Sequence, residues 1–541
     1  MPISYPTKPH VISRAYRGIA VWLMLIILAG CSTQVRTPFE VPEPETALPA
    51  AQEGPLADLE LALQQRTARD NTPAGLISAP STNLSGCHLL DRSEEALRWR
   101  LALIDSATET IDLQYYLYHS DSTGMLLTSR LLDAADRGVR IRVIVDDMGT
   151  LASGKPQREI RDALGKLMAA HPNISFRLFN SAENRKSVAW GAEFATNFTQ
   201  LNHRMHNKSL IADNRAVILG GRNIGDEYMG LDEELNFRDI DVLGVGQVAR
   251  QTSTVFDLFW NSGWTAPFSE ALRNEAKAEY PALRETLATL LQQLPHLESF
   301  SLTPKDWRPA LEELATALHL GSSTVMTDRP LANGISADLL TAVFELLPQT
   351  RQELLVTNAY FIPDDPGIEL LEDLNDRDVE VTVHTNSLAS QDVVAVNSHY
   401  KTWRGPMLDA GVRLYEARHD AAIKSTVVDT APVSAAVMGL HSKSMVIDRR
   451  LSVIGSANFD PRSALINSEM FAVIDSEGLA NQLAEIIERD VLPENSWQVV
   501  RNQKGAIEWR NSDEIRRKQP SLNAWQRFQD IFFRLFPKRL Y

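Results

Sequence analysis

Cysteine is nearly absent: 541 residues hold two, Cys31 and Cys87, which excludes a disulfide framework and a four-cysteine zinc site. Basic charge is also short. Lys and Arg number 54 against 69 Asp and Glu, a net charge of −15. So acidic a chain lacks the cationic surface that displaces counterions from nucleic acid, and no nucleic-acid partner is expected. The apolar run near the N-terminus, Ile19 to Ala29, is too short to cross a bilayer comfortably. What is present is ample. The length exceeds what one core ordinarily serves, so two or more domains are expected. With 44% apolar and 23% charged residues, the chain falls in the globular range and is neither disordered nor collagenous as a whole.

Lys8, Arg14 and Arg17 precede that apolar run, the pattern of a cleaved export signal over residues 1–30. It ends in Leu28-Ala29-Gly30-Cys31, which resembles a bacterial lipobox. That resemblance implies lipidation of Cys31, a body outside the cytoplasm in the cell envelope, and, from Ser32, sorting to the outer membrane. Cys87 then has no partner and reads as a small buried apolar residue. Residues 31–85 comprise a proline-rich solvated tether, Val35 to about Pro55, and a short helix to about Ala68 that carries Leu56, Leu59 and Leu63 at helical spacing.

The body is written twice. Asp136-Arg-Gly-Val-Arg-Ile-Arg-Val-Ile-Val-Asp146 returns as Asp376-Arg-Asp-Val-Glu-Val-Thr-Val-His-Thr-Asn386, each a helix end, a tight turn and a buried strand. An aromatic-ended strand precedes each copy, and helices alternate with strands. The fold class is therefore α/β, with two similar lobes, each packing helices over a largely buried sheet, related by a pseudo-twofold axis. The lobes are placed at 86–265 and 328–500, with a helical connector at 266–327 and a basic, aromatic tail at 501–541.

The most informative repeat is His206-Asn-Lys208-Ser-Leu-Ile-Ala-Asp213 against His441-Ser-Lys443-Ser-Met-Val-Ile-Asp448, each followed by a glycine-polar turn ending in Asn223 or Asn458. The asparagine stands seventeen residues after the histidine in both. Side chains at i and i+2 of a strand share a face, so each histidine points with its lysine. Histidine, with an unperturbed pKa of about 6.5, supplies a base or nucleophile at neutral pH. Lysine and asparagine supply charge and directed hydrogen bonds to phosphoryl oxygens. Lobes packed face to face would set two histidines on opposite sides of one phosphorus, which suits in-line displacement without a metal or cofactor. Asp213 and Asp448 fall on the opposite strand face from their histidines and are expected to brace the motif.

These paired motifs resemble the phospholipase D superfamily from about residue 86 to the C-terminus, with a pattern closest to class C cardiolipin synthases. The resemblance rests on Arg204-Met-His-Asn-Lys-Ser209, Gly220-Gly-Arg-Asn-Ile-Gly-Asp226, Thr385-Asn-Ser-Leu-Ala389 with Asp392, Gly455 to Ser463, and Asn467-Ser-Glu469. The lipobox and tether depart from that class, so the mode of anchoring is where the two differ. The resemblance implies a shared active site and ping-pong phosphatidyl transfer. His206 attacks phosphorus to form a phosphohistidine, His441 protonates the departing alcohol and then deprotonates the incoming one, and Lys208, Lys443, Asn223 and Asn458 bind the phosphoryl oxygens. For orienting carboxylates, Glu469 is the candidate for His441, and Asp239 or Asp241 for His206. Tyr115, Tyr116, Arg222, Asn386 and Ser387 are candidates for the substrate mouth, since strand ends in α/β units commonly line the site.

Such an apparatus can cut DNA, hydrolyse a lipid or exchange lipid alcohols, and features outside the motif must choose. Residues 501–541 carry ten Lys and Arg against four Asp and Glu, and Trp525, Phe528, Phe532 and Leu535 recur at helical spacing. That resembles a helix lying in a membrane interface, the alternative being a helix docked on the body. The expected partners are phospholipids and a membrane surface, with room left for an accessory protein. The expected function is cardiolipin synthesis by phosphatidyl transfer onto phosphatidylglycerol, from a second phosphatidylglycerol or from phosphatidylethanolamine. The runner-up is a phospholipase D yielding phosphatidic acid, ahead of a nuclease or a non-catalytic lipid-binding lipoprotein.

Overall fold

The computed structural model describes residues 44–69, 84–147, 155–180, 202–267 and 270–535. The export signal, Cys31 and the first part of the tether lie outside them.

Each lobe grows from the repeated unit read in the sequence. In the first, strand Thr110–Tyr115 leads to helix Ser122–Asp136, which starts where the Asp121 carboxylate accepts the Gly124 N–H at 3.0 Å. This is an N-cap that satisfies an otherwise orphaned donor. The helix ends at a left-handed residue, Gly138, and strand Arg140–Asp146 follows. In the second copy Asp378 takes the left-handed position between helix Asp364–Asp376 and strand Glu380–Asn386. Glycine and aspartate are residues that tolerate this conformation, which explains Arg-Gly-Val against Arg-Asp-Val.

The strands of the first lobe lie in the order Thr265–Pro267, Ile174–Phe179, Arg140–Asp146, Thr110–Tyr115, Ser209–Ala212, Ala216–Gly220, Asp241–Gly246, Leu84–Leu90. Those of the second run Ser496–Arg501, Arg413–Ala417, Glu380–Asn386, Glu353–Asn358, Lys443–Ile447, Leu451–Gly455, Met470–Asp475, His319–Thr327. The two orders match strand for strand. Leu84–Leu90 pairs antiparallel with His319–Thr327, so the sheet reads the same from either end, as a pseudo-twofold at that junction requires.

Of the four apolar clusters among the described residues, the three largest follow from this layout. One serves the first lobe and one the second. The third lies between them, where Phe256, Phe259 and Trp260 of helix Gln247–Trp260 share a core with Leu479, Leu483 and Ile487 of helix Glu477–Asp490. Each large apolar side chain buried there contributes about 1.5–3 kcal/mol relative to exposure, so the lobes are joined by a core as well as by a ladder. Cys87 is fully buried and unpaired, with its thiol pushed up to about 12 by burial.

Several boundaries differ from those expected. The tether is not solvated throughout. The Glu45 carboxylate pairs with Arg140 at 2.8 Å and accepts from Trp260 Nε1 at 2.9 Å, and Ala51 N–H donates to Asp213 O at 3.1 Å. Residues 45–51 are therefore strapped to the first lobe, because polar partners on that lobe meet their backbone and side chains. Helix Pro55–Arg69 forms as expected and buries Leu56, Leu59 and Leu63. The connector is helical over Glu270–Leu291 and Arg308–Ala317, but its last residues, His319–Thr327, form the second lobe's junction strand. Of the tail, Ile507–Arg510 and Ile515–Arg516 extend the second lobe's sheet beyond Ser496–Arg501, leaving helix Ala524–Phe533 as the appended element.

Candidate active site

Two short parallel ladders cross between the lobes and build the site. Arg204–Met205 pairs with Asn467–Ser468, and Val437–Leu440 pairs with Leu235–Arg238. His206 N–H donates to Ser468 O and His441 N–H to Arg238 O, both at 2.8 Å. The next residue on each partner strand is a carboxylate, Glu469 or Asp239. His206 Nδ1 lies 2.7 Å from Glu469 Oε2, and His441 Nδ1 lies 2.6 Å from Asp239 Oδ2. A carboxylate only accepts, so Nδ1 is the donor on each ring, and Nε2 keeps its lone pair.

This pairing corrects the sequence assignment, which gave Glu469 to His441 and Asp239 or Asp241 to His206. The carboxylate on each imidazole comes from the opposite lobe, since the ladders that carry the histidines run between lobes. The register also shows why the two segments resisted alignment. Gly220 opposes Asp241 and Gly455 opposes Phe471, which makes Asp239 the counterpart of Glu469. Yet Asp239 follows Asn223 by 16 residues and Glu469 follows Asn458 by 11. Asp241 is no orienter; it binds Arg100 at 2.9 Å and Arg222 at 3.3 Å in a buried ionic lattice.

The turn after each motif is shaped to its carboxylate. A Cβ on Gly221 would meet Asp239 Oδ1 at 2.4 Å, so only glycine leaves room there. Its counterpart Ser456 instead donates its hydroxyl to Glu469 Oε2 at 2.6 Å. Tyr116 packs edge-on to His206, and Tyr228 and Phe237 pack on His441, all with ring centroids 5.1 Å apart.

Lys208 and Lys443 are buried, and each ammonium donates to the carbonyl of its own motif histidine. Burial pulls Lys208 down to about 7, with Lys443 adding to the effect. Burial likewise pulls Lys443 down to about 8. His206 is lowered to about 4, by burial first and then by the two lysines against the pull of Glu469. His441 is held well below its ordinary value by burial and by the charges of Lys443, Lys208 and His206. Burial works against Glu469 as an anion, but His206 and Lys208 hold its carboxyl below the usual range. Burial raises Asp239, against the charges of Lys443 and Arg222. Cations, imidazoles and carboxylates thus act on one another in a single dry volume, where an entering anion would find two positive groups.

The remaining candidates divide. Asp213 accepts the backbone N–H groups of Thr108, Glu109 and Thr110, and Asp448 those of Arg351, Gln352 and Glu353. Both occupy left-handed turn positions, so they fasten the motif hairpin to the neighbouring strand rather than face the histidines. Asn223 accepts from Leu117 N–H at 3.2 Å, whereas Asn458 Oδ1 is buried without a hydrogen-bond partner.

Of the mouth candidates, Tyr116 alone adjoins a motif histidine. Tyr115 is buried against Arg100. Arg222 donates to the carbonyls of Leu90, Asp91 and Asp239. Asn386 braces Leu440, just ahead of His441, and Ser387 bonds with Ser390. These four support the scaffold, because their polar groups are taken up by buried partners instead of opening to solvent. Tyr228 and Phe237 were not anticipated, since their link to the motif is spatial, with no periodicity to mark it; Ser456 stood in the quoted glycine-polar turn without being assigned a role.

The family model described as "Cardiolipin synthase, PLD-like domain" matches residues 101–260 and 343–491, one span in each lobe. Cardiolipin synthase C of Escherichia coli is 32% identical over 461 residues, covering 82% of this chain and 93% of the relative. The chain belongs to the cardiolipin synthase family of phospholipase D-like proteins. A more distant relative, the major cardiolipin synthase of Bacillus subtilis, is 24% identical over 396 residues, 72% of this chain and 66% of its own. Among solved structures, phosphatidylserine synthase of Haemophilus influenzae shares the fold, with a TM-score of 0.52 at 13% identity over 76% of this chain and 88% of that one.

Proposed function

We infer that this cardiolipin synthase family member transfers a phosphatidyl group onto phosphatidylglycerol. The single observation that carries the reading is a pair of buried imidazoles, each backed by the other lobe's carboxylate and flanked by Lys208 and Lys443. In the first step His206 Nε2 attacks phosphorus, the bond to the departing alcohol breaks, and that alcohol takes a proton from His441. In the second, the acceptor hydroxyl loses its proton to His441 and attacks phosphorus as the P–N bond breaks. Phosphatidylethanolamine or a second phosphatidylglycerol is the donor, releasing ethanolamine or glycerol. His441 is unprotonated in the empty site, and the phosphodiester anion offsets the lysine charges and raises its affinity for the proton it must give. Asn458 and Asn223 orient the phosphate by donating from their amide nitrogens to its oxygens.

A membrane setting is supported by helix Ala524–Phe533. Two of its polar side chains face inward: Asp530 binds Lys401 at 2.6 Å and Asn397 at 2.7 Å, and Gln526 donates to Leu388 O at 2.6 Å, while Arg527 is exposed. Its apolar side chains face outward, with Trp525 60% and Ile531 68% exposed. This inversion suits an interfacial lipid layer. No helix of the described residues is long and apolar enough to cross a membrane. A lipid anchor at Cys31 in the bacterial envelope completes the reading.

Purified protein with both phospholipids should give cardiolipin by mass spectrometry, and His441→Ala should give none. Phosphatidic acid in its place would make the protein a hydrolase. Acid-labile label from phosphate-labelled lipid should be trapped on the wild type and lost in His206→Ala. Label persisting on that variant would move the nucleophile to His441.

A further inference from the structure

A cavity of about 290 Å³ enters the second lobe between helix Asp338–Leu346 and the motif strands. Its inner end is formed by Lys443, Asn458 and Glu469, and its walls by apolar side chains such as Val343, Leu371 and Phe471. At the rim stand Phe344 and Leu465, the latter 64% exposed. The cavity is thus mainly apolar and reaches the reaction centre at Lys443, Asn458 and Glu469, with Asp364 and Asp460 also in its lining.

We propose that this cavity seats an acyl chain of the phosphatidyl group being transferred; the proposal rests on the phosphatidyl-transfer reading above. A ligand there must present an anion at Lys443 and Asn458 and an apolar chain along the walls, since the walls offer few hydrogen-bond partners. In an in-line displacement the attacking and leaving atoms share one axis, and the retained substituent leaves phosphorus at its equator. The lining includes Glu469, which orients His206, and the phosphoryl-binding Lys443 and Asn458, but neither His441 nor Asp239. It therefore does not open on the group that protonates the leaving alcohol, which leaves it free for the retained diacylglycerol. The exposed apolar rim gives a chain a path in from a lipid layer without crossing water.

The test measures headgroup release by the full chain from dioleoyl and dibutyryl phosphatidylglycerol in the same detergent. Val343→Trp narrows the cavity and should lower the ratio of long-chain to short-chain turnover at least tenfold. Ile515→Trp, on an exposed strand, should keep the wild-type ratio. In parallel, phosphatidylglycerol with a diazirine in its acyl chain should label peptides that contain residues 339–347 or 453–471 of the wild type. A wild-type ratio in Val343→Trp, or labelling confined to other peptides, overturns the proposal. Should Val343→Trp fail to fold, the photolabelling decides alone. If the wild type released no headgroup from any phospholipid, the transfer reading would fall, while the labelling would still report on the cavity.

Discussion

Glutamine at position 469 keeps the side chain's shape but replaces a full negative charge beside His206 Nδ1, and asparagine at 239 does the same for His441. The two exchanges should differ in kind. Glu469→Gln should slow formation of the phosphohistidine by roughly 10²–10⁴, the scale of losing an orienting carboxylate, whatever the leaving group. Asp239→Asn should cost a similar factor on a lipid alcohol and recover on a p-nitrophenyl phosphodiester, whose leaving group needs no proton. Rapid-quench rates on both substrates check this, and the opposite pattern would restore the assignment first read from sequence. The lysines bring a pH dependence. Their depressed values, about 7 for Lys208 and about 8 for Lys443, mean that charge is lost as pH rises through that window. His206 stays neutral above about 4 and adds no acid limb near neutrality. kcat/KM should therefore already be falling across about pH 7 to 8, where loss of the lysine charges adds to loss of the proton that His441 must give; a profile still climbing at pH 9 would contradict the burial of these ammonium groups. The motif residues were legible because duplication repeated them, whereas Tyr228, Phe237 and the identity of each carboxylate's partner depend on strands from two distant segments meeting in register.

Among elements, the C-terminal helix shows how a pattern can be visible while its direction is hidden. Trp525, Phe528, Phe532 and Leu535 at helical spacing mark an apolar stripe, and the same stripe would serve a helix turned toward a core. Its orientation follows from Gln526 and Asp530, four residues apart, whose partners Leu388, Asn397 and Lys401 are remote in sequence. In protein without the Cys31 lipid, replacing Trp525, Phe528 and Ile531 together with glutamate should abolish flotation with anionic liposomes while leaving Tm within about a degree, since substitutions at exposed sites usually change stability little. Asp530→Ala should instead lower stability by about 1–3 kcal/mol, by leaving Lys401 and Asn397 without their partner. A large loss of Tm in the triple variant would mean that the stripe packs against protein. The connector's last strand and the first part of the tail were misplaced for a related reason: His319–Thr327 and Ile507–Arg510 are only partly buried, and what makes them strands is an edge waiting on a sheet assembled elsewhere.

At the scale of the molecule, self-similarity made two α/β lobes readable, and the matching of strand orders about the junction of Leu84–Leu90 with His319–Thr327 agrees with it. The crossing ladders were not readable, because one joins two residues to two and the other four to four, each pair more than 200 positions apart, too short a pairing to leave a periodic trace. Those ladders deny the duplication its usual benefit. A gene that holds two copies of a unit ordinarily has redundancy, and one copy is free to drift. Here a lesion in either half strips an imidazole in the other of its counter-charge, so neither half is a spare, and selection must act on the pair as one indivisible unit.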